Sequence, residues 1–186
     1  MAKEDLIECF INPPAFTAIV TSVVEVYAKE TIGFLVGVRG ENKFIIEYAI
    51  PYQTADVGYT HAEVDWKRAE RVNEVLKLVG EGLEFIGDFH SHTQFGQSLA
   101  DIKPSPTDLI STKEGEIYLI IAVNRRKRAQ PWREHPDRTI SGTIRDYHIK
   151  IGGYTVIKMG FKSYRKVKIR CPAVTGLTCK DNVKQR

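Results

Sequence analysis

The chain has 186 residues, of which 42% are hydrophobic and 27% charged, and its formal net charge is +4. This length and composition suit one soluble globular domain with a full core. No apolar run reaches the roughly 18 residues that a membrane helix needs. Residues 1–5 lack the basic start and apolar core of a signal peptide, so we expect a cytoplasmic protein.

The three cysteines are too few for a disulfide scaffold. Cys171 and Cys179 are near enough in sequence to pair and staple the C-terminus, but free thiols are the expectation in a reducing compartment. Because no C-x-x-C occurs, the sequence does not predict a cysteine zinc site.

Hydrophobic periodicity predicts helices and strands in mixed order. The predicted elements are a helix from 13 to about 30, strands at 34–39 and 43–50, a helix at 64–79, strands at 83–90 and 117–123, and an antiparallel pair at 139–151 and 154–161. Gly152-Gly153 is interpreted as the turn of that last pair. This order indicates an α+β protein or a three-layer α-β-α sandwich on one mixed sheet.

Residues 52–63 form a long predicted loop, and such loops are often functional. The loop contains His61-Ala62-Glu63, which matches H-x-E, one half of the zinc-dependent nucleobase deaminase signature. The other half, P-C-x-x-C, is absent from the chain. We therefore interpret His61 as an ordinary polar residue near a helix start.

The end of the predicted strand at 83–90 carries His90-Ser91-His92. On a strand, residues two apart share a face, so both imidazoles project together from Cα atoms roughly 6.6 Å apart. Asp88 shares that face but lies about 13 Å from His92 along the strand. A carboxylate ligand should therefore come from another element.

Asp108 is the candidate for that carboxylate. The run Ser105-Pro106-Thr107-Asp108 is typical of a helix start, with the serine as N-cap, the proline at N1 and the aspartate at N3 of a capping box. These residues thus have a purely structural interpretation as well. A capped helix would also hold the carboxylate rigidly, and two imidazoles with one carboxylate can bind a zinc ion and leave one position open.

With these motifs, the sequence resembles the JAMM (MPN-plus, Mov34/PAD-1 type) metalloproteases. The signature of that family combines an upstream glutamate, H-[ST]-H and S-x-x-D. The matching residues here are Glu30, His90-Ser91-His92, and Ser105 with Asp108, and residues 30–37 also match the family's E-x-x-G-x-L-x-G. The resemblance covers about residues 15–125 and implies the three-layer α-β-α sandwich, of the cytidine-deaminase-like kind.

The resemblance also implies a mechanism and a substrate. His90, His92 and Asp108 would bind Zn²⁺, Glu30 would be the general base, and Ser105 would hydrogen-bond the oxyanion. The substrates implied are peptide or isopeptide bonds at the C-terminal tail of ubiquitin or a ubiquitin-like protein. We expect such conjugates as partners, and neither a membrane nor a nucleic acid; the oligomeric state is left open.

The chain departs from the family pattern between the two motifs. Residues 93–104 give a longer spacing than the family usually has, and Thr93 stands where a proline is common. Ser98 and Asp101 form a rival S-x-x-D at a shorter spacing. We prefer the later pair, because a proline precedes its serine as in the family. Residues 93–104 would then be an insertion beside the site.

The predicted catalytic domain covers 1–162, and residues 163–186 are predicted to be a basic C-terminal tail. Residues 161–186 hold eight of the 27 Lys and Arg residues and one of the 23 acidic residues. Such a tail is either a solvated terminus or a docking arm for an acidic partner or nucleic acid. The run 125–128 is similarly ambiguous and has no interleaved aromatic residues for base stacking.

Other functions fit the same sequence. A non-catalytic MPN-type scaffold would use the fold to bind a partner, and a nucleic-acid binder would use the basic tail. Within the enzyme class, the substrate would instead be a small peptide or a sulfur-carrier protein adduct.

Overall fold

A computed structural model describes residues 6–52, 56–57, 62–63, 66–79, 82–106, 108, 113–126, 128–159 and 161–176. Strands predominate over helices in this part of the chain. The elements, in chain order, are β1 (Glu8–Ile11), α1 (Pro13–Glu25), β2 (Ile32–Arg39), β3 (Lys43–Pro51), β4 (Asp56–Val57), β5 (Ala62–Glu63), α2 (Trp66–Val79), β6 (Glu84–Thr93), β7 (Ile117–Arg125), β8 (Arg133–Glu134), β9 (Ile140–Ile144), β10 (Tyr147–Met159), β11 (Phe161–Arg170) and α3 (Pro172–Thr175).

One mixed, nine-stranded sheet organises the described residues, in the order β11-β1-β3-β2-β6-β7-β10-β9-β8. β1 is parallel to both β11 and β3, and β6 is parallel to β7, whereas the other pairs are antiparallel. Because β11 also pairs with β10, the sheet closes on itself. The expected mixed α/β class is confirmed. The three-layer sandwich is not, since a closed sheet is not an open central layer.

Helix α1 packs against β3. Prolines occupy its first positions, where no backbone N–H is needed. Its buried apolar residues follow helical spacing and are Ala15, Phe16, Ile19, Val20 and Val23. The helix ends at Glu25, earlier than predicted, because the chain tightens into a turn in which the Lys29 N–H donates to the Val26 carbonyl at 2.6 Å. Glu30 therefore lies in the connection to β2.

The central strands follow the prediction. β2 and β3 form the predicted hairpin, and β6 begins at Glu84, one residue after the start of the strand predicted at 83–90, and continues to Thr93. β7 is buried from Ile117 to Asn124, as expected for a strand covered on both faces. Helix α2 matches the predicted helix from residue 66 onwards and contacts β6. His61 lies outside the described residues.

The pair Gly152-Gly153 lies inside β10, so the turn predicted there is wrong. A Cβ on Gly152 would lie 2.7 Å from Ile102 Cδ1, and one on Gly153 would lie 2.5 Å from Ile169 Cδ1. Because these glycines have no side chain, Ile102 and Ile169 can pack closely against β10. The turn comes earlier, between β9 and β10, where Arg145 adopts a left-handed φ of 50°.

The segment predicted as a basic tail begins within the sheet. Residues 163–170 belong to β11 and pair with β10 and β1. Arg170 Nε lies 3.0 Å from Glu8 Oε1, and its guanidinium also contacts Glu134. Part of the basic charge is thus balanced inside the fold, and residues 177–186 lie outside the described range.

Cys9 and Cys171 are buried free thiols. Burial raises the pKa of Cys171 to about 11, so this thiol stays protonated near neutral pH. Cys179 lies outside the described residues. Of the helices that the structure describes, none combines the length and the apolar character needed to cross a membrane.

Candidate metal centre

The two histidines stand at the carboxyl end of β6, between β2 and β7. His90 faces Ile32 across the antiparallel pair and Ile120 across the parallel one. The predicted convergence is present, because the two Nε2 atoms lie 2.8 Å apart. Both imidazoles thus present the same ring nitrogen to the same point in space.

Asp108 reaches that point from the start of the next helical segment. The Ser105 N–H donates to Asp108 Oδ2 at 2.6 Å, and the Asp108 N–H donates to Ser105 Oγ at 3.2 Å. These reciprocal bonds are the predicted capping box. The other carboxylate oxygen, Oδ1, lies 3.7 Å from His90 Nε2. One side chain therefore caps the helix and faces the imidazoles, so the structural and functional interpretations are compatible.

The donor atoms of His90, His92 and Asp108 all lie within 4.8 Å of one another. A tetrahedral zinc ion with bonds of about 2.0–2.1 Å keeps its ligand atoms about 3.3 Å apart. The separations of 2.8 Å and 3.7 Å between these donors bracket that value. The residues present therefore fit a divalent ion of this size.

His92 is oriented by the loop that follows it. Its Nδ1 lies 2.6 Å from the Asp101 carbonyl, which can only accept a hydrogen bond. The loop itself is held by Asn124, whose side chain exchanges hydrogen bonds with Ala100, and by the Tyr154 hydroxyl, which donates to the Ile102 carbonyl at 2.6 Å. The lone pair of His92 Nε2 is therefore directed into the site.

Asp101, the rival carboxylate, does not join the group. Its Oδ1 accepts from the Ile102 N–H at 2.6 Å, and the residue is exposed. Ser98 exchanges backbone hydrogen bonds with Phe95 in a tight turn. The preference for Ser105 and Asp108 over Ser98 and Asp101 agrees with this geometry.

His90 is buried against Tyr118, whose hydroxyl oxygen lies 2.5 Å from His90 Nδ1. Burial lowers the pKa of His90 to about 4; the neighbouring Asp108 carboxylate opposes this shift and His92 adds to it. The imidazole is therefore neutral at physiological pH, which is the form that binds a metal.

Ser91 connects the histidine pair to the segment that carries Glu30. The Thr31 N–H donates to Ser91 Oγ, and the Ser91 N–H donates to the Thr31 carbonyl, each at 2.8 Å. Ile32 stands opposite His90 at the end of the ladder, and Glu30 precedes Ile32 by two residues in the chain. Glu30 is half-buried at this position.

Several acidic side chains influence Tyr118, which lies beside His90. Burial, followed by the charges of Asp88 and Asp108, raises the pKa of Tyr118, and the Glu30 carboxylate adds to this shift. Asp88 itself has a buried Oδ1 with no hydrogen-bond partner among the described residues. Burial, with Glu116 and Asp108 adding to it, raises the pKa of Asp88 to about 8, so its carboxyl is largely neutral.

Sequence analysis did not identify the residues that orient the histidines. Asn124 leaves a signal in the sequence, because it is an amide that directly follows the apolar residues 119–123 of β7. Tyr118 leaves none, since a tyrosine in a buried strand is ordinary. The role of the Asp101 carbonyl is a property of the backbone and depends on the loop conformation.

Comparison with known proteins supports these observations. The family model described as prokaryotic homologues of the JAB domain matches residues 12–135, which include the proposed metal ligands. Among solved structures, the solution structure of protein DSY2949 from Desulfitobacterium hafniense is similar with a TM-score of 0.61. It shares 16% identity with this chain, over 88% of this chain and 92% of that one, which supports the fold alone. No curated protein matches the sequence.

Proposed function

Because the chain belongs to the family of prokaryotic homologues of the JAB domain, we propose that it is a zinc-dependent metallopeptidase. Its proposed substrates are peptide or isopeptide bonds at the C-terminal tail of ubiquitin or a ubiquitin-like protein. The observation that carries the proposal is the convergence of His90, His92 and Asp108 donor atoms within 4.8 Å. Two imidazoles and one carboxylate with a free fourth position are a common ligand set of catalytic zinc.

The three ligands would hold Zn²⁺, which supplies a water of lowered pKa and polarises the scissile carbonyl. Glu30 accepts a proton from the attacking water as the water oxygen bonds to the carbonyl carbon. It then delivers that proton to the amine nitrogen as the C–N bond breaks. The proton thus passes from water to the leaving group, and Glu30 returns to its carboxylate form.

Ser105 would support the same step. Its Oγ accepts a hydrogen bond from the Asp108 N–H, so its O–H remains available to donate. That donor would stabilise the carbonyl oxygen as negative charge develops on it. Ser105 therefore combines helix capping with oxyanion binding in this proposal.

The proposed substrate tail is extended and can bind as an added β-strand. The loop 93–104 begins at the metal ligands and exposes the large apolar side chains Phe95 and Leu99, at 73% and 63%. These side chains, or residues 52–63, would close over the apolar part of the tail. The same mechanism would hydrolyse a small peptide or a sulfur-carrier protein adduct. The proposed location of the reaction is the cytoplasm.

The decisive experiment incubates purified protein with linear and isopeptide-linked conjugates of ubiquitin-like proteins, with and without a chelator. We expect cleavage after the modifier's tail, loss of cleavage with the chelator, and recovery when Zn²⁺ is added. Elemental analysis should find zinc bound to the chain. Bound zinc without cleavage of any conjugate or peptide would favour the scaffold function, and the absence of zinc would overturn the metal centre.

A further inference from the structure

The hydroxyl of Tyr118 touches two of the three proposed metal ligands. Tyr118 lies on β7, next to Asp88 of β6 in the parallel register, and it is 6% exposed. Its oxygen lies 2.5 Å from His90 Nδ1, and its hydroxyl also hydrogen-bonds the Asp108 side chain. The phenol therefore bridges an imidazole on β6 and a carboxylate on the following helical segment.

The direction of these two bonds follows from the chemistry of the groups. A carboxylate can only accept hydrogen bonds, and a phenol has a single proton to donate. The Tyr118 proton therefore goes to Asp108, and the Tyr118 oxygen must accept from His90 Nδ1–H. In a neutral imidazole, a proton on Nδ1 leaves a lone pair on Nε2. His90 is thereby held as the tautomer that can bind a metal through Nε2.

His92 reaches the same state by another route, since its Nδ1 donates to the Asp101 carbonyl. The two Nε2 lone pairs then face each other across 2.8 Å, with Asp108 Oδ1 nearby at 3.7 Å from His90. Three acceptor atoms directed at one point repel one another unless a cation lies between them. The outer hydrogen bonds thus organise the site for a cation before one binds.

We propose that Tyr118 is a positioning residue of the metal centre, whose hydroxyl selects the Nε2-binding tautomer of His90 and fixes the Asp108 carboxylate relative to it. This inference deepens the proposed function and rests on its metal site. Such outer hydrogen bonds raise the basicity of a ligand and hold its orientation. The ring of Tyr118 has a separate role, because it packs with Ile102, Ile120 and Tyr154.

The test uses the full-length Tyr118→Phe variant, which keeps the ring and removes only the hydroxyl. We expect its Zn²⁺ affinity, measured by competition with a chromophoric chelator, to fall about 10- to 100-fold. Tyr147→Phe is the matched control, because the Tyr147 ring packs against Tyr27 in a different part of the core. It should retain the wild-type affinity.

A second measurement does not need the metal. In the metal-free wild-type protein, ¹⁵N spectra of labelled histidines should show the His90 proton on Nδ1. In Tyr118→Phe the proton should be distributed over both ring nitrogens. A wild-type His90 protonated on Nε2, or an unchanged tautomer together with unchanged affinity in the variant, would overturn the role of Tyr118.

The two measurements also separate this inference from the proposed function. If conjugates are not cleaved although Tyr118→Phe loses zinc affinity and tautomer selection, the peptidase function fails and the role of Tyr118 stands. If the wild-type protein binds no zinc, the tautomer measurement still decides whether Tyr118 orients His90.

Discussion

Two hydrogen bonds join the side-chain amide of Asn124 to the backbone of Ala100, in the way that the backbone of a neighbouring strand would. The Ala100 N–H donates to Asn124 Oδ1 at 2.8 Å, and Asn124 Nδ2 donates to the Ala100 carbonyl at 3.1 Å. The contact anchors the loop 93–104 to β7 immediately before Asp101, whose carbonyl orients His92. An amide on a buried strand therefore helps to orient His92, a candidate metal ligand that it does not touch.

Asn124→Ala should weaken both the fold and the metal site. The variant leaves the Ala100 N–H and carbonyl without their partner, which costs about 1–3 kcal/mol of unfolding free energy. Zinc affinity should fall as well, because the Asp101 carbonyl is no longer held. The control is Gln94→Ala, which removes amide hydrogen bonds to Gly96 and Arg125 from the exposed part of the loop. Equal losses of zinc affinity in the two variants, measured by chelator competition, would contradict this role of Asn124.

Ser91→Ala should impair catalysis more than metal binding. The Thr31 N–H is buried and loses its acceptor, which costs about 1–3 kcal/mol, and the segment carrying Glu30 keeps only one of its two hydrogen bonds to Ser91. We expect a lower kcat with nearly unchanged zinc content. Ser91→Thr keeps a hydroxyl and should rescue the defect. Ser22→Ala is the structural control, because the Ser22 hydroxyl donates to the Ile19 carbonyl within helix α1. A kcat unchanged in Ser91→Ala would show that this contact does not position the base.

Glu30→Gln should keep zinc and lose hydrolysis. The amide preserves the shape of the side chain but cannot accept the proton from water, so kcat should fall about 10²-fold or more. Glu25→Gln, at the exposed end of α1, is the matched control and should behave as the wild type. The measurements are conjugate cleavage and zinc content on the same preparations. An active Glu30→Gln protein would remove Glu30 as the general base.

Asp108→Asn and Asp101→Asn should differ in zinc content. Asp108→Asn removes a charged ligand from the group of donors, and its bound zinc should drop to a small fraction of the wild-type value. Asp101→Asn keeps an oxygen that can accept from the Ile102 N–H and should retain zinc. Elemental analysis after gel filtration makes the comparison. The opposite result would assign the ligand to the rival pair Ser98 and Asp101.

Asp88 should make the metal-free protein less stable as pH rises. The pKa of Asp88 is raised to about 8 in the fold from 3.8, so the folded state binds the proton more tightly than the unfolded state. The contribution of protonated Asp88 to the unfolding free energy is fully present below pH 3.8 and is lost as pH rises through about 8. His90 has the opposite sign, because its lowered pKa removes stability only as pH falls from 6.5 toward about 4.

The window from pH 6.5 to 8 therefore isolates Asp88. There, the difference in unfolding free energy between wild type and Asp88→Asn should decline by up to about 1.4 kcal/mol per pH unit. Urea unfolding in the presence of a chelator measures this difference. A difference that does not change with pH would show that Asp88 is ionised in the folded protein.

Local sequence signals were sufficient to predict the geometry of the candidate metal ligands. The period-2 placement of His90 and His92 and the capping box of Ser105 and Asp108 each determine a local geometry, and both geometries occur in the structure. The strands that bring these motifs together were also predicted from their apolar runs. Their meeting point depends on the parallel pairing of β6 with β7, which no local pattern encodes.

Other features depended on contacts that are distant in the sequence. Gly152-Gly153 looks like a turn, but the side chains of Ile102 and Ile169 pack against it within β10. Glu30 looks like the end of a helix, but a turn after Val26 places it in the approach to β2. The proton positions on the histidines depend on Tyr118 and the Asp101 carbonyl, which reach them from a separate strand and from the following loop.

The pairing of β1 with β11 sets a constraint on how the chain reaches its native state. Glu8 stands opposite Lys168, so the first strand cannot complete its pairing until nearly all of the chain has been synthesised. Contacts this distant in sequence fold slowly, because a long loop must close before they form. A fragment cut to the family-matched residues 12–135 would lose β1, β9, β10 and β11 and expose the edges of β3 and β7. Such unprotected edges favour aggregation, so the matched segment is shorter than the unit that folds.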